Sequence, residues 1–323
     1  MRVLFSKSPQ VLCSLLVLAG IQGCGPDTNR AEAILQGHSC GVDAVAFSAG
    51  GRALASSGTD GAIRIWDVPT GKERAHLQGH TDPVWCIAFS PDGKMLASGG
   101  RDGTVKLWDV RTWLVRFTLH GHTGWARSVV FLGDGRELLS AATDGRLVRW
   151  NLAKAQGRAF GEPESSIWTI ALAPDGKLLA TVSEEGRVSI WDVETERKLA
   201  IYPGDRIGVA AVAFAPDSHT LAAARMDGTV KLWGVLSGKE LLTFRAHSAN
   251  AKAVAFSPDG RILATGGSDG AINLWDAATV APRGTLTGHT HGISSLVFAP
   301  RGQTLASGSW DKTVRLWDLS GDE

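Results

Sequence analysis

Two short patterns in the sequence contain residues that could carry out catalysis. In the stretch RDGTVKLWD, the carboxylates of Asp102 and Asp109 flank a strand-like run, and paired carboxylates can act as general acid and base. The segments GHSCG (37–41) and GGSDG (266–270) match G-x-S-x-G, a pattern that exposes a nucleophilic serine on a strand-to-helix turn. Whether any of these residues can react depends on the elements that position them.

Histidines separated by one residue are candidates for a metal site. His120 and His122 form one such pair, and His289 and His291 form the other. A zinc site needs at least three protein ligands, and the sequence places no third ligand with either pair. We therefore expect neither a metal ion nor a cofactor.

A tryptophan recurs every 41 or 42 residues and reveals an internal repeat. Each of these tryptophans lies 29 positions after a loop position that is usually glycine, and six positions after an aspartate or glutamate. The repeat tryptophans are Trp66, Trp108, Trp150, Trp191, Trp233, Trp275 and Trp317. Seven copies in one register indicate that most of the chain is built from a single repeated unit.

Each repeat has the pattern of four short strands. In the second copy, VWCIAF, KMLASG, TVKLWD and WLVRFTL follow one another with turn sequences such as SPDG and RDG, in which Asp-Gly tolerates a positive φ. Strands at this spacing, with no helical pattern between them, indicate an all-β fold. The last repeat lacks its outer strand, and the segment EAILQGH (32–38) resembles the outer strands of other repeats. We therefore expect this segment to complete the last repeat.

The repeat resembles a known signature. GH, followed by WD 29 residues after its glycine and by an Asp-Gly turn before the tryptophan, is similar to the motif of the WD-repeat β-propellers. The resemblance covers residues 33–323. It implies an all-β, seven-bladed β-propeller of four-stranded blades, whose ring is closed by an N-terminal strand that completes the last blade.

In that family a histidine, a serine or threonine, the turn aspartate and the tryptophan form a hydrogen-bonded chain within a blade. The resemblance implies five such structural sets in this sequence: His38–Ser56–Asp60–Trp66, His80–Ser98–Asp102–Trp108, His122–Ser140–Asp144–Trp150, His247–Thr265–Asp269–Trp275 and His289–Ser307–Asp311–Trp317. Asp102, His122 and His289 then have structural roles, and Asp109 belongs to the strand-end signature. We therefore expect no catalytic residues and predict that the protein is not an enzyme.

The fourth and fifth repeats depart from this pattern. The fourth has Pro163 at the histidine position and Glu185 at the aspartate position, whereas the fifth has Asp205 and Ala223 at the histidine and hydroxyl positions. We expect these two blades to be held mainly by packing and to open locally before the others.

Five of the twelve tryptophans lie outside the repeat positions. In the family, three positions in each blade face the upper surface, and four of the five spare tryptophans occupy such positions, as do Asp43 and Glu184. The residues predicted to bind a partner there are Trp85, Arg101, Trp125, Arg127, Trp168, Met226, Lys252 and Trp310. Exposed tryptophan and arginine are typical anchors of protein and peptide sites. The alternative is that Trp85 and Trp168 pack between blades in the channel.

The N-terminal residues have the features of an export signal. Arg2 and Lys7 precede the apolar run 11–21, which is short for a membrane span and is followed by small residues. The expected organisation is a signal peptide over 1–23, a polar tether over 24–32 and the propeller over 33–323.

The sequence IQGC at the end of this signal resembles the lipobox of bacterial lipoproteins. The resemblance implies that Cys24 carries acyl chains and anchors the protein to a membrane of the bacterial cell envelope. The alternative is simple cleavage, which would release a soluble periplasmic or secreted protein. Cys40 and Cys86 then remain, and we interpret both as packing residues because two cysteines at unrelated repeat positions make no disulfide framework.

Taken together, these patterns predict a monomeric, non-catalytic scaffold that binds a protein or peptide through its upper face. A net charge of +1 gives no electrostatic reason to expect a nucleic acid as partner, and a membrane would be reached through the lipid anchor only. Two alternatives stay open. One is a binder of cell-envelope glycans, since exposed tryptophans also stack on sugars, and the other is a hydrolase or lyase with a site in the central channel.

Overall fold

The computed structural model describes residues 31–204 and 207–321, and the regular elements found there are 28 β-strands. In chain order the first fourteen are β1 (Ala33–Gln36), β2 (Val42–Phe47), β3 (Ala53–Gly58), β4 (Ile63–Asp67), β5 (Lys72–Leu77), β6 (Val84–Phe89), β7 (Met95–Gly100), β8 (Thr104–Asp109), β9 (Val115–His120), β10 (Ala126–Leu132), β11 (Glu137–Ala142), β12 (Leu147–Asn151), β13 (Gln156–Ala159) and β14 (Ile167–Leu172). The remaining fourteen are β15 (Leu178–Ser183), β16 (Val188–Asp192), β17 (Lys198–Tyr202), β18 (Val209–Phe214), β19 (Thr220–Arg225), β20 (Thr229–Gly234), β21 (Glu240–Arg245), β22 (Ala251–Phe256), β23 (Ile262–Gly267), β24 (Ile272–Asp276), β25 (Pro282–Leu286), β26 (Ile293–Phe298), β27 (Thr304–Ser309) and β28 (Thr313–Asp318). The predicted signal peptide, Cys24 and Asp205 lie outside the described residues.

The strands form seven antiparallel sheets of four strands each. Strands β2 to β5 form blade one, and each following group of four forms the next blade, up to β22 to β25 in blade six. The inner strand is the first of the four in blades one to six and is β26 in blade seven. Each inner strand packs against the inner strands of both neighbouring blades, so that β2 contacts β6 on one side and β26 on the other. The blades therefore form a closed ring around a channel, and the prediction of an all-β, seven-bladed propeller is confirmed.

Blade seven contains strands from both ends of the chain, in the order β1-β28-β27-β26. β1 pairs antiparallel with β28, with Ala33 opposite Leu316 and Leu35 opposite Val314. Leu35 is buried in a cluster with Val42 and other residues of blade one. The expected closure by the N-terminal segment is thus confirmed, and it joins the last blade to the first.

Each apolar core cluster lies between two adjacent blades. Between blades one and two, Ile63 and Ile65 from one sheet pack with Leu96 and Trp108 from the next. The Trp108 side chain is almost fully buried there. Truncating such a tryptophan to alanine typically costs about 3–5 kcal/mol, so these contacts hold neighbouring blades at a fixed orientation.

A hydrogen-bonded chain of four side chains crosses blade one. Trp66 Nε1 donates to Ser56 Oγ at 2.8 Å, His38 Nε2 lies 2.8 Å from the same oxygen, and His38 Nδ1 lies 2.9 Å from Asp60 Oδ2. A carboxylate can only accept, so the histidine proton is on Nδ1, and Nε2 accepts from the serine hydroxyl. All four groups are then satisfied in a single directed chain.

The equivalent chains in the other matching blades have similar distances. The nitrogen-to-hydroxyl distances in them are 2.7–3.0 Å, and the shortest histidine-to-carboxylate distances are 2.7–3.3 Å. These hydrogen-bonded chains lie in blades two, three, six and seven and contain His80, His122, His247 and His289, respectively. Burial lowers the pKa of these four histidines, which favours the neutral imidazole that the chain requires.

Blade four contains a different hydrogen-bonded chain, so the expectation that this blade would be held mainly by packing, without such a chain, is wrong. Trp191 Nε1 donates to Thr181 Oγ1 at 3.1 Å, and Thr181 Oγ1 donates to Glu164 Oε2 at 2.8 Å. Ser189 Oγ donates to the other oxygen of Glu164 at 2.7 Å, and Lys198 Nζ lies 2.6 Å from that oxygen. The longer glutamate side chain, one position after the proline that replaces histidine, reaches the place of the missing imidazole.

Blade five has no hydroxyl at the corresponding position, because Ala223 is there. The half-buried Trp233 contacts the ring of Tyr202, with 5.5 Å between centroids, and lies 5.6 Å from Lys231 Nζ. Tyr202 also donates through its hydroxyl to the backbone carbonyl of Val235. Early local opening therefore stays a prediction for blade five.

Two neighbouring serines on β3 provide a matched test of the hydrogen-bonded chain. Ser56 and Ser57 are both fully buried, but Ser57 Oγ has no hydrogen-bond partner among the residues that the structure describes. Ser56→Ala leaves buried nitrogens of His38 and Trp66 unpaired and should lower the free energy of unfolding by about 2 kcal/mol, whereas Ser57→Ala should change it little. Urea unfolding of both variants measures the difference. Equal stabilities of the two variants would show that the hydrogen-bonded chain contributes nothing to the free energy of unfolding.

Candidate functional site

Each inner strand has a β-bulge near its first residue, at the end of the propeller that we call the upper face. A bulge inserts one residue that is unpaired in the strand ladder and redirects its side chain. The upper face also carries the turns between the second and third strands of each blade. The bulged residues, one in each blade, are Asp43, Trp85, Arg127, Trp168, Ala210, Lys252 and Ser294.

These bulged residues converge where the channel opens on the upper face. Together with Met226 and Trp310 from two of the turns, they line a cavity of about 210 Å³. We call this cavity the channel mouth. Below it the inner strands enclose a further space of about 270 Å³. The bulges thus place seven side chains from seven blades around one opening.

The Arg127 side chain lies between two indole rings at the channel mouth. Its guanidinium carbon is 4.6 Å from the centroid of Trp85 and 5.1 Å from that of Trp168. Cation–π contacts of this kind are worth about 0.5–2 kcal/mol each. Trp85 and Trp168 are half-buried and hold the arginine at the opening of the channel, so their contacts are not confined to packing between blades.

The aromatic surface continues outward from Trp85. Its ring stacks on Trp125, with 6.4 Å between centroids and an angle of 27° between the planes. The guanidinium of Arg101 lies 4.8 Å from the Trp125 ring. Trp125 is 43% exposed, so a large apolar side chain is available to a partner beside the channel mouth.

A second cation and aromatic pair lies on the other side of the ring. Lys252 Nζ is 5.6 Å from the centroid of Trp310, which is 48% exposed. Burial lowers the pKa of Lys252, and the positive charge of Arg127 lowers it further. The channel mouth is therefore lined by two half-buried cations, each resting on tryptophan.

The structure brings all eight predicted partner-binding residues together. Six of them line the channel mouth, and the stack on Trp85 connects Trp125 and Arg101 to it. Sequence reasoning did not include Asp43 among them, although it occupies the same repeat position as Trp85. Glu184 is exposed in the turn between β15 and β16 and does not line the cavity.

Asp43 is the acidic member of the ring. Burial raises its pKa to about 6, against a hydrogen bond from Thr59 Oγ1 at 3.0 Å and the attraction of Arg127, which both lower it. Near pH 6 the Asp43 carboxyl is therefore neutral in about half of the molecules, whereas an ordinary aspartate would be almost fully ionised.

The residues with possible catalytic roles are separated or already engaged. Asp102 lies in the turn before the six-residue strand β8 and Asp109 is the last residue of that strand, so the two carboxylates are about 20 Å apart along the chain direction. Ser39 lies in the loop before β2, and Ser268 lies in the turn between β23 and β24, so neither is on a strand-to-helix turn. The ring of His38 contacts Ser56 and Asp60.

The candidate metal pairs are also divided between roles. His122 and His289 belong to the hydrogen-bonded chains, whereas His120 and His291 are exposed. Over residues 31–204 and 207–321, no three histidine, cysteine or acidic side chains are grouped so as to hold a metal ion. The same residues contain no helix that is long and apolar enough to cross a membrane.

The unusual environment of Asp43 can be tested by titration. We expect its carboxyl to titrate near pH 6, because burial disfavours its charge, whereas Asp60, which accepts from His38 and two backbone amides, should titrate near pH 2. Carbon-detected NMR of the aspartate carboxyls over a pH series measures both pKa values, and the signal that disappears in Asp43→Asn is assigned to Asp43. A value below 4 for Asp43 would contradict its burial at the channel mouth.

Comparison with known proteins identifies the family. Residues 42–235 match the family model described as IFT122 first beta-propeller, and residues 238–276 and 281–318 match the WD domain, G-beta repeat. No curated protein matches the chain. The matched residues contain every strand of blades one to six and three of the four strands of blade seven. The chain therefore belongs to the WD-repeat β-propellers, within the family of the IFT122 first beta-propeller.

Proposed function

We propose that this protein is a non-catalytic, monomeric scaffold that binds a protein or peptide segment through its upper face. WD-repeat propellers generally serve as protein-interaction scaffolds. The observation that carries the proposal is the convergence of four non-repeat tryptophans with Arg101, Arg127 and Lys252 around one opening.

The exposure of the tryptophans supports a binding role. Trp125 and Trp310 leave almost half of their surface exposed on opposite sides of the channel mouth, although tryptophan is among the most favourable residues to bury. Tryptophan and arginine are the residue types most often found at binding hot spots. Because Trp85 and Arg101 already support the Trp125 ring, a partner would meet a preorganised side chain and lose less entropy on binding.

The non-catalytic assignment rests on what the potentially reactive residues do. Asp102, His122 and His289 have structural hydrogen bonds, and both G-x-S-x-G serines lie in loops between strands. The channel mouth contains one carboxyl, Asp43, and no described histidine lines it. A hydrolase or lyase would need further acid, base or metal-binding groups at this site.

A double variant tests the upper face. Trp125→Ala/Trp310→Ala should lose at least about tenfold in partner retention, because it removes both exposed anchors while leaving the blade cores intact. Affinity capture after chemical cross-linking, followed by mass spectrometry, measures the amount of each retained partner. The matched control is Leu114→Ala/Leu241→Ala, which removes two leucines that are 69% and 57% exposed elsewhere.

Equal retention of the same partners by the wild type and the tryptophan variant would contradict the proposal. Glycan binding is the competing function, because Trp125 and Trp310 could also stack on sugars. Retention of the wild type on cell-envelope polysaccharide, lost in the tryptophan variant, would favour that alternative over a protein partner.

We also propose that the protein is exported and lipid-anchored in the bacterial cell envelope. The support is the basic start, the short apolar run 11–21 and the IQGC sequence ending at Cys24. Strand β1 begins at Ala33 as the outermost strand of its blade, so an anchor at Cys24 would attach to the circumference of the ring.

Cys24→Ser should move the protein from the membrane fraction to the soluble fraction, because it removes the acylated thiol. Fractionation followed by immunoblotting measures this. Cys40→Ser is the matched control, since Cys40 is a free cysteine that is exposed, contrary to the packing role expected for it. Continued membrane association of the Cys24 variant would count against lipidation.

A further inference from the structure

Several half-buried cations on the blades of this protein have a carboxylate partner. Arg64 pairs with Glu73 at 2.7 Å, and Lys231 pairs with Glu240 at 3.0 Å. Arg149 contacts both Glu137 and Glu196 beside a larger cavity of about 580 Å³. These pairs compensate for the water that the cations lose on burial.

The two cations of the channel mouth lack such a partner within the described ranges. Within the described part of the chain, neither Arg127 nor Lys252 has a carboxylate at ion-pair distance or a hydrogen bond to protein, and Arg127 Nε is buried without a partner. Burial lowers the pKa of both side chains, and each carries a charge that repels the other. An anion between them would supply the charged hydrogen bonds that both groups lack.

The same opening suits a cationic ligand less well. Arg127 already lies over the rings of Trp85 and Trp168, and Lys252 lies over Trp310. The one carboxylate, Asp43, already accepts a hydrogen bond from Thr59. Two positive charges against one negative charge therefore leave the channel mouth attractive to anions.

The size of the channel mouth indicates how much of a ligand can enter. Its volume of about 210 Å³ is below the roughly 300–1,000 Å³ of most small-molecule pockets. One side chain can fill it, and the exposed rings of Trp125 and Trp310 would then contact the residues on either side. This arrangement suits a side chain within an extended segment better than a separate small ligand.

We propose that the channel mouth binds the carboxylate of a glutamate or aspartate in an acidic peptide segment, between Arg127 and Lys252. This inference rests on the proposed function and names the chemistry of the partner. The carboxylate oxygens accept from the guanidinium and the ammonium, and neighbouring peptide residues lie against the tryptophans.

The test uses fluorescein-labelled hexaglutamate and measures its binding to the full chain by fluorescence anisotropy. Hexaglutamine and hexalysine with the same label are the comparison peptides. We expect hexaglutamate to bind and the other two to bind at least about tenfold more weakly. Hexaglutamine binding as tightly as hexaglutamate would overturn the proposal, and so would preferential binding of hexalysine.

Lys252→Gln should weaken hexaglutamate binding about tenfold, because it removes one of the two charged donors. The matched control is Lys231→Gln, which removes the same charge from the circumference, where Lys231 pairs with Glu240, and should bind as the wild type does. Equal loss in both variants would mean that overall charge, rather than the channel mouth, attracts the peptide, and would overturn the proposal.

Asp43→Asn provides a test by gain of affinity, which impaired folding cannot imitate. Removing the negative charge from the ring should tighten hexaglutamate binding about threefold at pH 7.5. Unchanged or weaker binding by this folded variant would contradict the proposed position of the anion. Inorganic phosphate that displaces hexaglutamate at equal concentration would also overturn the proposal, because the site would then prefer a free anion.

These results separate the inference from the proposed function. If Trp125→Ala/Trp310→Ala loses its captured partners while Lys252→Gln keeps both them and hexaglutamate, the upper face binds proteins and the anion site is wrong. If Lys252→Gln loses hexaglutamate while the tryptophan variant keeps its partners, the anion site is supported and the proposed function is wrong.

Discussion

The antiparallel pairing of β1 with β28 is the contact on which the rest of the structure depends. It gives blade seven its fourth strand, covers the otherwise open edge of β28 and buries Leu35 against blade one. The same closure brings β26 beside β2, where Val45 N donates to Ser295 Oγ at 3.2 Å. Because the channel mouth takes at least one side chain from every blade, its shape exists only while the ring is closed.

Within this ring, structural and variable positions are physically separate. The hydrogen-bonded chains use side chains on the loops, second strands and third strands, where burial requires satisfied partners. The bulged residue of each inner strand is released from the ladder and points into the channel, so no blade core constrains its type. Asp43, Ala210 and Lys252 can therefore share one structural position although their charges and sizes differ.

The repeat spacing and the resemblance to the WD-repeat propellers were enough to predict the fold, the closure and which side chains lie together on the upper face. It was not enough to predict how blade four is held. Glu164 lies one position after the expected histidine and has no counterpart in the other repeats, and only the folded sheet shows that its carboxylate reaches Thr181 and Ser189. A residue outside the repeat pattern gives no periodic signal, even when its hydrogen bonds replace those of the pattern.

By itself, the sequence determined the number of repeats and the order of the strands within them, which follow from local turn chemistry and from an apolar pattern repeated every 42 residues or so. Its resemblance to the WD-repeat propellers implied which side of the ring carries four of the five spare tryptophans. The tertiary structure alone decided that Arg127 lies between Trp85 and Trp168, and that Arg127 and Lys252 face the same opening with no carboxylate partner among the described residues. The reason is that these side chains come from separate blades, and their meeting depends on the bulge directions and the closed ring, which no single stretch of sequence encodes.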